Sequence, residues 1–114
     1  MPHFVIDCSE EILKMKTAAE IMQSVYEIAE STGLFADGDI KVRINSFKHF
    51  KLGPSKENFI HIFGNIMEGR SISQRSDLSK SIISRLKSMF PDIPIISINI
   101  QEFEKATYCN RSMI

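Results

Sequence analysis

Pro2 is the residue of this chain best suited to acid–base chemistry. If the initiator methionine is removed, as is usual before a small residue, Pro2 becomes the amino terminus and its nitrogen a secondary amine. An α-amino group has a reference pKa of about 7.7 to 8, so burial or a nearby cation can bring it close to neutral pH. The proline ring also fixes the direction of the nitrogen, which favours proton transfer. A plainer interpretation also stands, in which Pro2 only promotes methionine removal and begins a strand.

Three cationic residues are candidates for binding an anion. Lys41 and Arg43 alternate with the apolar residues of segment 40–45, so they are predicted to lie on the polar face of a strand. Arg70 directly precedes Ser71, the predicted cap of a helix, where an anion would also interact with the helix N-terminus. The structural interpretations are a solvated strand face or an ion pair between subunits for Lys41 and Arg43, and a surface charge for Arg70.

Hydrophobic periodicity predicts the order strand, helix, strand, and then the same order again. The predicted elements are a strand at 3–8, a helix capped by Thr17 and ended by Gly33, a strand at 40–45, a strand at 59–67, a helix capped by Ser71 and ended by Pro91, and a strand at 96–101. Two βαβ units side by side give an α+β fold, with a four-stranded mixed sheet and two helices on one face. We expect one domain over 1–114, with halves at about 2–50 and 58–102 and a C-terminal tail.

The third predicted strand carries apolar side chains on both faces, with Phe59 and Phe63 on one and Ile60 and Ile62 on the other. Two helices can cover only one face of the sheet. The uncovered face therefore predicts an oligomer with closed symmetry. The alternative is that segment 103–114 folds back over this face.

Composition narrows the class of protein. The 114 residues have a formal net charge of zero and no basic block, so nucleic acid is not an expected partner. No apolar run approaches the roughly 20 residues needed to span a bilayer and no signal peptide is evident, so we expect a cytoplasmic protein without membrane contact. The isolated residues His3, His49, His61, Cys8 and Cys109 have no metal-ligand spacing, so no metal site is expected, and Cys8 is predicted to be a small buried hydrophobe.

Three segments together resemble the tautomerase superfamily. They are the opening Met-Pro-His-Phe-Val-Ile-Asp-Cys-Ser, the segment Thr32-Gly33-Leu34-Phe35, and Gly69-Arg70-Ser71 followed by Arg75. Within the superfamily they are most similar to the 5-carboxymethyl-2-hydroxymuconate delta-isomerases. The resemblance extends from Pro2 to about Ile100, and the opening segment is its most specific part.

The resemblance implies an isomerase that needs neither metal nor organic cofactor and works as a homotrimer with active sites at subunit boundaries. Pro2 would move a proton from the dienol form of an unsaturated 2-hydroxy or 2-oxo polycarboxylate to carbon, as in 5-carboxymethyl-2-hydroxymuconate during aromatic-compound catabolism. Arg70 would be the catalytic cation, and Arg43, Lys41 and Phe35 would bind substrate. Phe35 also has a simpler interpretation, as a core or interface residue.

Lys41 departs from the family pattern, which has an arginine at this position. A lysine keeps the charge but loses the bidentate fork, so the preferred substrate of this chain can differ from that of other members. Two alternatives to the delta-isomerase remain at this stage. One is a paralogue acting on another oxo-acid, and the other is a non-catalytic trimeric binding module similar to macrophage migration inhibitory factor.

Overall fold

The computed structural model describes residues 1–114 and contains a four-stranded sheet with three α-helices. The elements in chain order are β1 (His3–Ser9), α1 (Ile12–Met15), α2 (Ala18–Ser31), β2 (Lys41–Phe47), β3 (Phe59–Met67), α3 (Ile72–Met89), β4 (Ile95–Phe103) and a 3₁₀ turn at Arg111–Met113. The predicted α+β class and the order of the long elements are confirmed. The four-residue α1 was not predicted, so the fold has three helices rather than the predicted two.

The strands lie in the order β2-β1-β3-β4. β1 pairs parallel with β2 and β3 pairs parallel with β4, whereas the two central strands β1 and β3 are antiparallel. A parallel pair needs a long crossover connection, which α2 provides in one half and α3 in the other. The topology therefore places the start of β1 in the middle of the sheet, with His3 opposite Lys41 on one side and Asn65 on the other.

Side-chain caps begin both long helices. The Ser71 hydroxyl accepts a hydrogen bond from the Gln74 backbone N–H at 3.1 Å, and the Ser71 N–H donates to Gln74 Oε1 at 2.9 Å, which completes the predicted capping box of α3. At α2 the Thr17 hydroxyl accepts from the Glu20 N–H, but no bond returns from the Glu20 side chain, so only half of the predicted box forms. Gly33 ends the α2 region with a φ of 70°, a conformation that favours glycine.

The core lies between the helices and one face of the sheet. Phe4 and Ile6 of β1 are completely buried there, together with apolar residues from β3, α2 and α3. Cys8 is also completely buried, as predicted, and burial followed by the charge of Asp7 raises the pKa of its thiol to about 11. The short helix α1 is stabilised by Ile12, whose side chain is completely buried in the core.

The other face of the sheet, here called the open face, has no helix over it. Phe63 at its centre is 40% exposed, whereas Ile60 and Ile62 on the opposite face are buried, so the predicted two-sided apolar strand is confirmed. The tail covers only one end of this face, where Tyr108 stacks on Phe103 with ring centroids 5.5 Å apart and lines a cavity with His3, Arg43 and Asn65, and it leaves Phe63 exposed. None of the helices combines the length and apolar character needed to cross a membrane.

Candidate functional site

Pro2 is completely buried at the start of β1. Its carbonyl accepts a hydrogen bond from the Lys41 N–H at 3.0 Å, which ties it to β2. Met1 precedes it, with its ammonium nitrogen 3.3 Å from Asp39 Oδ2 and its sulfur 3.4 Å from Lys41 Nζ. The Pro2 nitrogen is an amide while Met1 is attached and becomes an amine when Met1 is removed. Removal would also open the space that Met1 fills, between Lys41 and Asp39.

Arg70 is held rigidly between two chain segments. One guanidinium nitrogen donates to the Leu34 carbonyl at 2.6 Å and the other terminal nitrogen donates to the Met67 carbonyl at 3.2 Å. Its central carbon lies 5.2 Å from the centroid of the Phe35 ring, a cation–π arrangement. Because a guanidinium has five N–H donors, three are left for an anion. Arg70 also lines an open surface cavity of about 370 Å³ beside the start of α3.

Phe35 links this arginine to the strand that carries Pro2. Its ring meets the ring of Phe4 edge to face, with centroids 6.2 Å apart, and Phe4 follows Pro2 by two residues on the same buried face of β1. The structure therefore brings Phe35 and Arg70 together on the helix-covered side of the sheet. Both residues are candidates predicted from the sequence, whereas the Leu34 carbonyl that anchors Arg70 is not.

Arg43 lies on the open face, on the other side of the sheet from Phe4. Its Nη1 is 3.1 Å from His3 Nδ1, and both residues line a surface cavity of about 330 Å³ whose other walls are Asn65, Phe103 and Tyr108. Burial lowers the pKa of His3, and the charges of Arg43, Lys41 and the amino terminus lower it further. A neutral His3 can accept the Arg43 hydrogen bond. Within one subunit, Arg43 and Arg70 are thus on opposite sides of the sheet.

Several residues around these sites were not identified from the sequence. The parallel pairing of β1 with β2 brings His3 close to Arg43. The alternation of side chains within β1 is the sequence signal from which the position of His3 on this face could have been predicted. Asp39 lies in a turn, and Tyr108 in the irregular tail, where no periodic pattern reports on contacts. No group of three or more His, Cys, Asp or Glu side chains is arranged to hold a metal ion.

Comparisons with known proteins identify relatives of the whole chain. The sequence model of the family described as 5-carboxymethyl-2-hydroxymuconate isomerase matches residues 2–114. A protein of Escherichia coli named 5-carboxymethyl-2-hydroxymuconate Delta-isomerase is 23% identical over 92 residues, which cover 79% of this chain and 73% of that protein.

Solved structures share the fold at low sequence identity. A 5-carboxymethyl-2-hydroxymuconate isomerase from Deinococcus radiodurans R1 superposes with a TM-score of 0.84 and 20% identity, covering 96% of this chain and 88% of its own. A symmetric trimer of a fused 4-OT gives a TM-score of 0.77 and 12% identity, covering 96% of this chain and 94% of its own. The fold is therefore the tautomerase fold, and the chain belongs to the 5-carboxymethyl-2-hydroxymuconate isomerase family of isomerase enzymes.

Proposed function

We propose that this chain, after removal of Met1, catalyses the transfer of a proton from the enol oxygen to the far carbon of the diene in an unsaturated 2-hydroxy or 2-oxo polycarboxylate such as 5-carboxymethyl-2-hydroxymuconate. The dienol substrate becomes a conjugated enone, with Pro2 as the acid and base and no cofactor. The observation that carries the proposal is the position of Pro2, buried at the start of a central strand with the Lys41 ammonium beside the space that Met1 fills. Membership of the isomerase family supports it.

In the proposed reaction one group, the Pro2 amine, acts first as the base and then as the acid. The Pro2 amine removes the proton from the enol hydroxyl, the double bonds shift, and the resulting ammonium returns a proton to carbon, so the amine is regenerated and nothing is oxidised. Burial and the cation of Lys41 both favour the neutral amine, which leaves Pro2 unprotonated and able to accept a proton near neutral pH. Negative charge develops on the 2-oxo oxygen, and the free N–H donors of Arg70 are suited to stabilise it. Phe35 would pack against the apolar part of the substrate.

Arg43 supports a site shared between subunits. It is on the open face, so it is better placed to serve the Pro2 of a neighbouring copy packed on that face than the Pro2 of its own subunit. The exposed Phe63 at the centre of this face would be buried by such packing. A single subunit is also more elongated than a typical compact domain of this length. Its Cα radius of gyration is 14.9 Å, compared with about 13 Å for such a domain, and its longest dimension is 45 Å, whereas the other two are 26 Å. We propose a homotrimer with three active sites at its boundaries.

Lys41 favours a substrate different from that of members with an arginine at this position. Its ammonium reaches the space beside Pro2, where it would bind one carboxylate as a point charge rather than through a fork. A panel of dienol mono-, di- and tricarboxylates would identify the preferred acid. Lys41→Arg is expected to change the ranking of the acids more than the turnover of the best one.

The test of the catalytic role follows the ultraviolet absorbance of 2-hydroxymuconate-type dienols. Pro2→Ala is expected to lower kcat by about 100- to 10 000-fold, the range for loss of a positioned acid–base group, and Arg70→Ala is expected to lower kcat/KM strongly. Matched controls are Pro54→Ala in the loop after β2 and Arg85→Ala on the helical surface, where Arg85 pairs with Glu27. Intact mass confirms removal of Met1 in each sample. Full activity of the correctly processed Pro2→Ala enzyme would disprove the mechanism.

The shared site is tested by mixing two defective subunits. Coexpressed Pro2→Ala and Arg43→Ala chains, each inactive alone, would form mixed trimers in which about a quarter of the boundaries combine an intact Pro2 with an intact Arg43. Recovery of activity toward that fraction is the expected result. If Arg43 serves its own subunit, the mixture shows no such recovery, and if Arg43 has no role, the Arg43→Ala chain is already active alone. Sedimentation confirms that the trimers form.

A further inference from the structure

Asp39 places a negative charge beside the amino terminus. Without it, the proton affinity of the terminal nitrogen would be set by burial and by nearby cations, which both lower it. Its carboxylate is 3.3 Å from the Met1 ammonium, and its backbone carbonyl accepts a hydrogen bond from Lys41 Nζ at 3.0 Å. These contacts place the acid on the same side of the terminus as the Lys41 ammonium. Neither the family comparison nor the proposed roles of the arginines accounts for an acid at this position.

Removal of Met1 transfers the positive charge to the Pro2 nitrogen. Successive backbone nitrogens are separated by at most about 3.7 Å, given the lengths of the three bonds that join them. The Asp39 carboxylate, 3.3 Å from the Met1 nitrogen, is therefore within about 7 Å of the Pro2 nitrogen. This separation is shorter than the Debye length of about 8 Å at physiological ionic strength, so the two charges interact.

We propose that Asp39 is a positioning residue for the reaction, whose carboxylate interacts electrostatically with the ammonium of the mature Pro2 and keeps its proton affinity high enough for it to act as a base. The proposal rests on the proposed function of Pro2. The other charged groups around the terminus are Lys41 from β2, His3 from β1 and Arg43, which contacts His3. All of these are cationic or neutral. Asp39 is the group that opposes them, and it would stabilise the ammonium form that carries the proton during the reaction.

The experiment measures the proton affinity of Pro2 directly. The chain has four prolines, and only Pro2 has a nitrogen that titrates when Met1 is removed, so ¹⁵N-proline labelling and NMR follow this one group. Asp39→Asn is compared with the wild type and with Asp37→Asn, which removes the same charge two residues earlier in the same turn. The Asp39 side chain is 46% exposed, so its replacement does not disturb the core.

Asp39→Asn is expected to lower the Pro2 titration midpoint by about half to one pH unit, a partial effect because the carboxylate is half exposed. The rise of kcat/KM with pH should move to lower pH by the same amount, and 1 M salt should shrink the difference. Asp37→Asn should move the midpoint much less. An unchanged midpoint in Asp39→Asn, or an equal shift in both variants, would overturn the role of Asp39. The NMR midpoint does not depend on turnover, so a failure of the Pro2 mechanism would be seen separately, as full activity of Pro2→Ala.

Discussion

Gly64 lies in a part of the sheet where the neighbouring side chains leave no room for a larger residue. It lies in β3 between Phe4 of β1 and Ile100 of β4. A Cβ atom added at this position would be 2.5 Å from Ile100 Cδ1 and 3.2 Å from Cε1 of the Phe4 ring. The contact with Ile100 is the shorter one, so this side-chain end must be displaced, and the completely buried Phe4 ring leaves the new methyl group no room on its other side. Gly64→Ala is therefore a substitution limited by packing rather than by backbone conformation.

The expected cost follows from two opposing terms. Forcing an extra methyl group into a packed core costs about 1 to 3 kcal/mol. Replacing a strand glycine with alanine returns about 0.5 to 1 kcal/mol, because the unfolded chain loses freedom. The net effect is a destabilisation of about 1 to 2 kcal/mol, which lowers the melting temperature of a domain of this size by about 4 to 8 °C.

Urea and thermal unfolding at a fixed protein concentration measure this effect, and a double-mutant cycle assigns it to the contact. Ile100→Val alone removes Cδ1 and is expected to cost about 0.5 to 1.5 kcal/mol. In the Gly64→Ala/Ile100→Val protein the new methyl group has room, so the two effects should fall short of additivity by about 1 kcal/mol. A Gly64→Ala protein as stable as the wild type, or strict additivity in the cycle, would show that the contact with Ile100 does not limit the packing.

Two further predictions concern the start of α3 and the open face. Ser71→Ala should destabilise the protein by about 1 kcal/mol because it removes the hydroxyl of the capping box, whereas Ser73→Ala, within the first turn, should cost little; urea midpoints of the two variants decide the matter. His3 should make stability depend on pH. The pKa of His3 in the folded protein is depressed below the ordinary value of about 6.5. As the pH decreases below that value, the unfolded state binds more protons than the folded state, and the free energy of unfolding decreases. His3→Gln should flatten this fall between about pH 7 and the lowered pKa, and equal slopes for the two proteins would contradict the assignment.

The long elements of the fold could be predicted because local signals agree with one another. β3 has apolar residues on both faces and clear limits, so its bounds, Phe59–Met67, were predicted without error. The capping residues Thr17 and Ser71 marked the starts of α2 and α3. The helix α1 has only four residues, too few to show a period, and it depends on the burial of Ile12, a tertiary contact. β2 runs to Phe47, beyond the predicted end, because the Phe47 carbonyl accepts a hydrogen bond from the Glu10 N–H next to β1.

The residues of the candidate site also differ in whether a local sequence pattern or only a tertiary contact determines their position. Alternation alone places Lys41 and Arg43 on the exposed face of β2, as the structure does. The anchoring of Arg70 by the Leu34 carbonyl joins residues 36 positions apart and depends on how a turn folds, which no local pattern encodes. Asp39 escaped notice for the same reason. The proposed contribution of a neighbouring copy to the site is still harder to predict, because it would depend on the packing of surfaces rather than on the chain of one subunit.

The central position of β1 in the sheet has a practical consequence for anyone who handles this protein. Pro2 is buried at the start of a central strand, and a purification tag or fusion partner attached ahead of it would acylate the nitrogen on which turnover is proposed to depend. The last residue, Ile114, is fully exposed. Affinity handles, fluorophores and surface-immobilisation chemistry therefore belong at the carboxyl end, and assay data from amino-terminally tagged preparations would describe a capped enzyme.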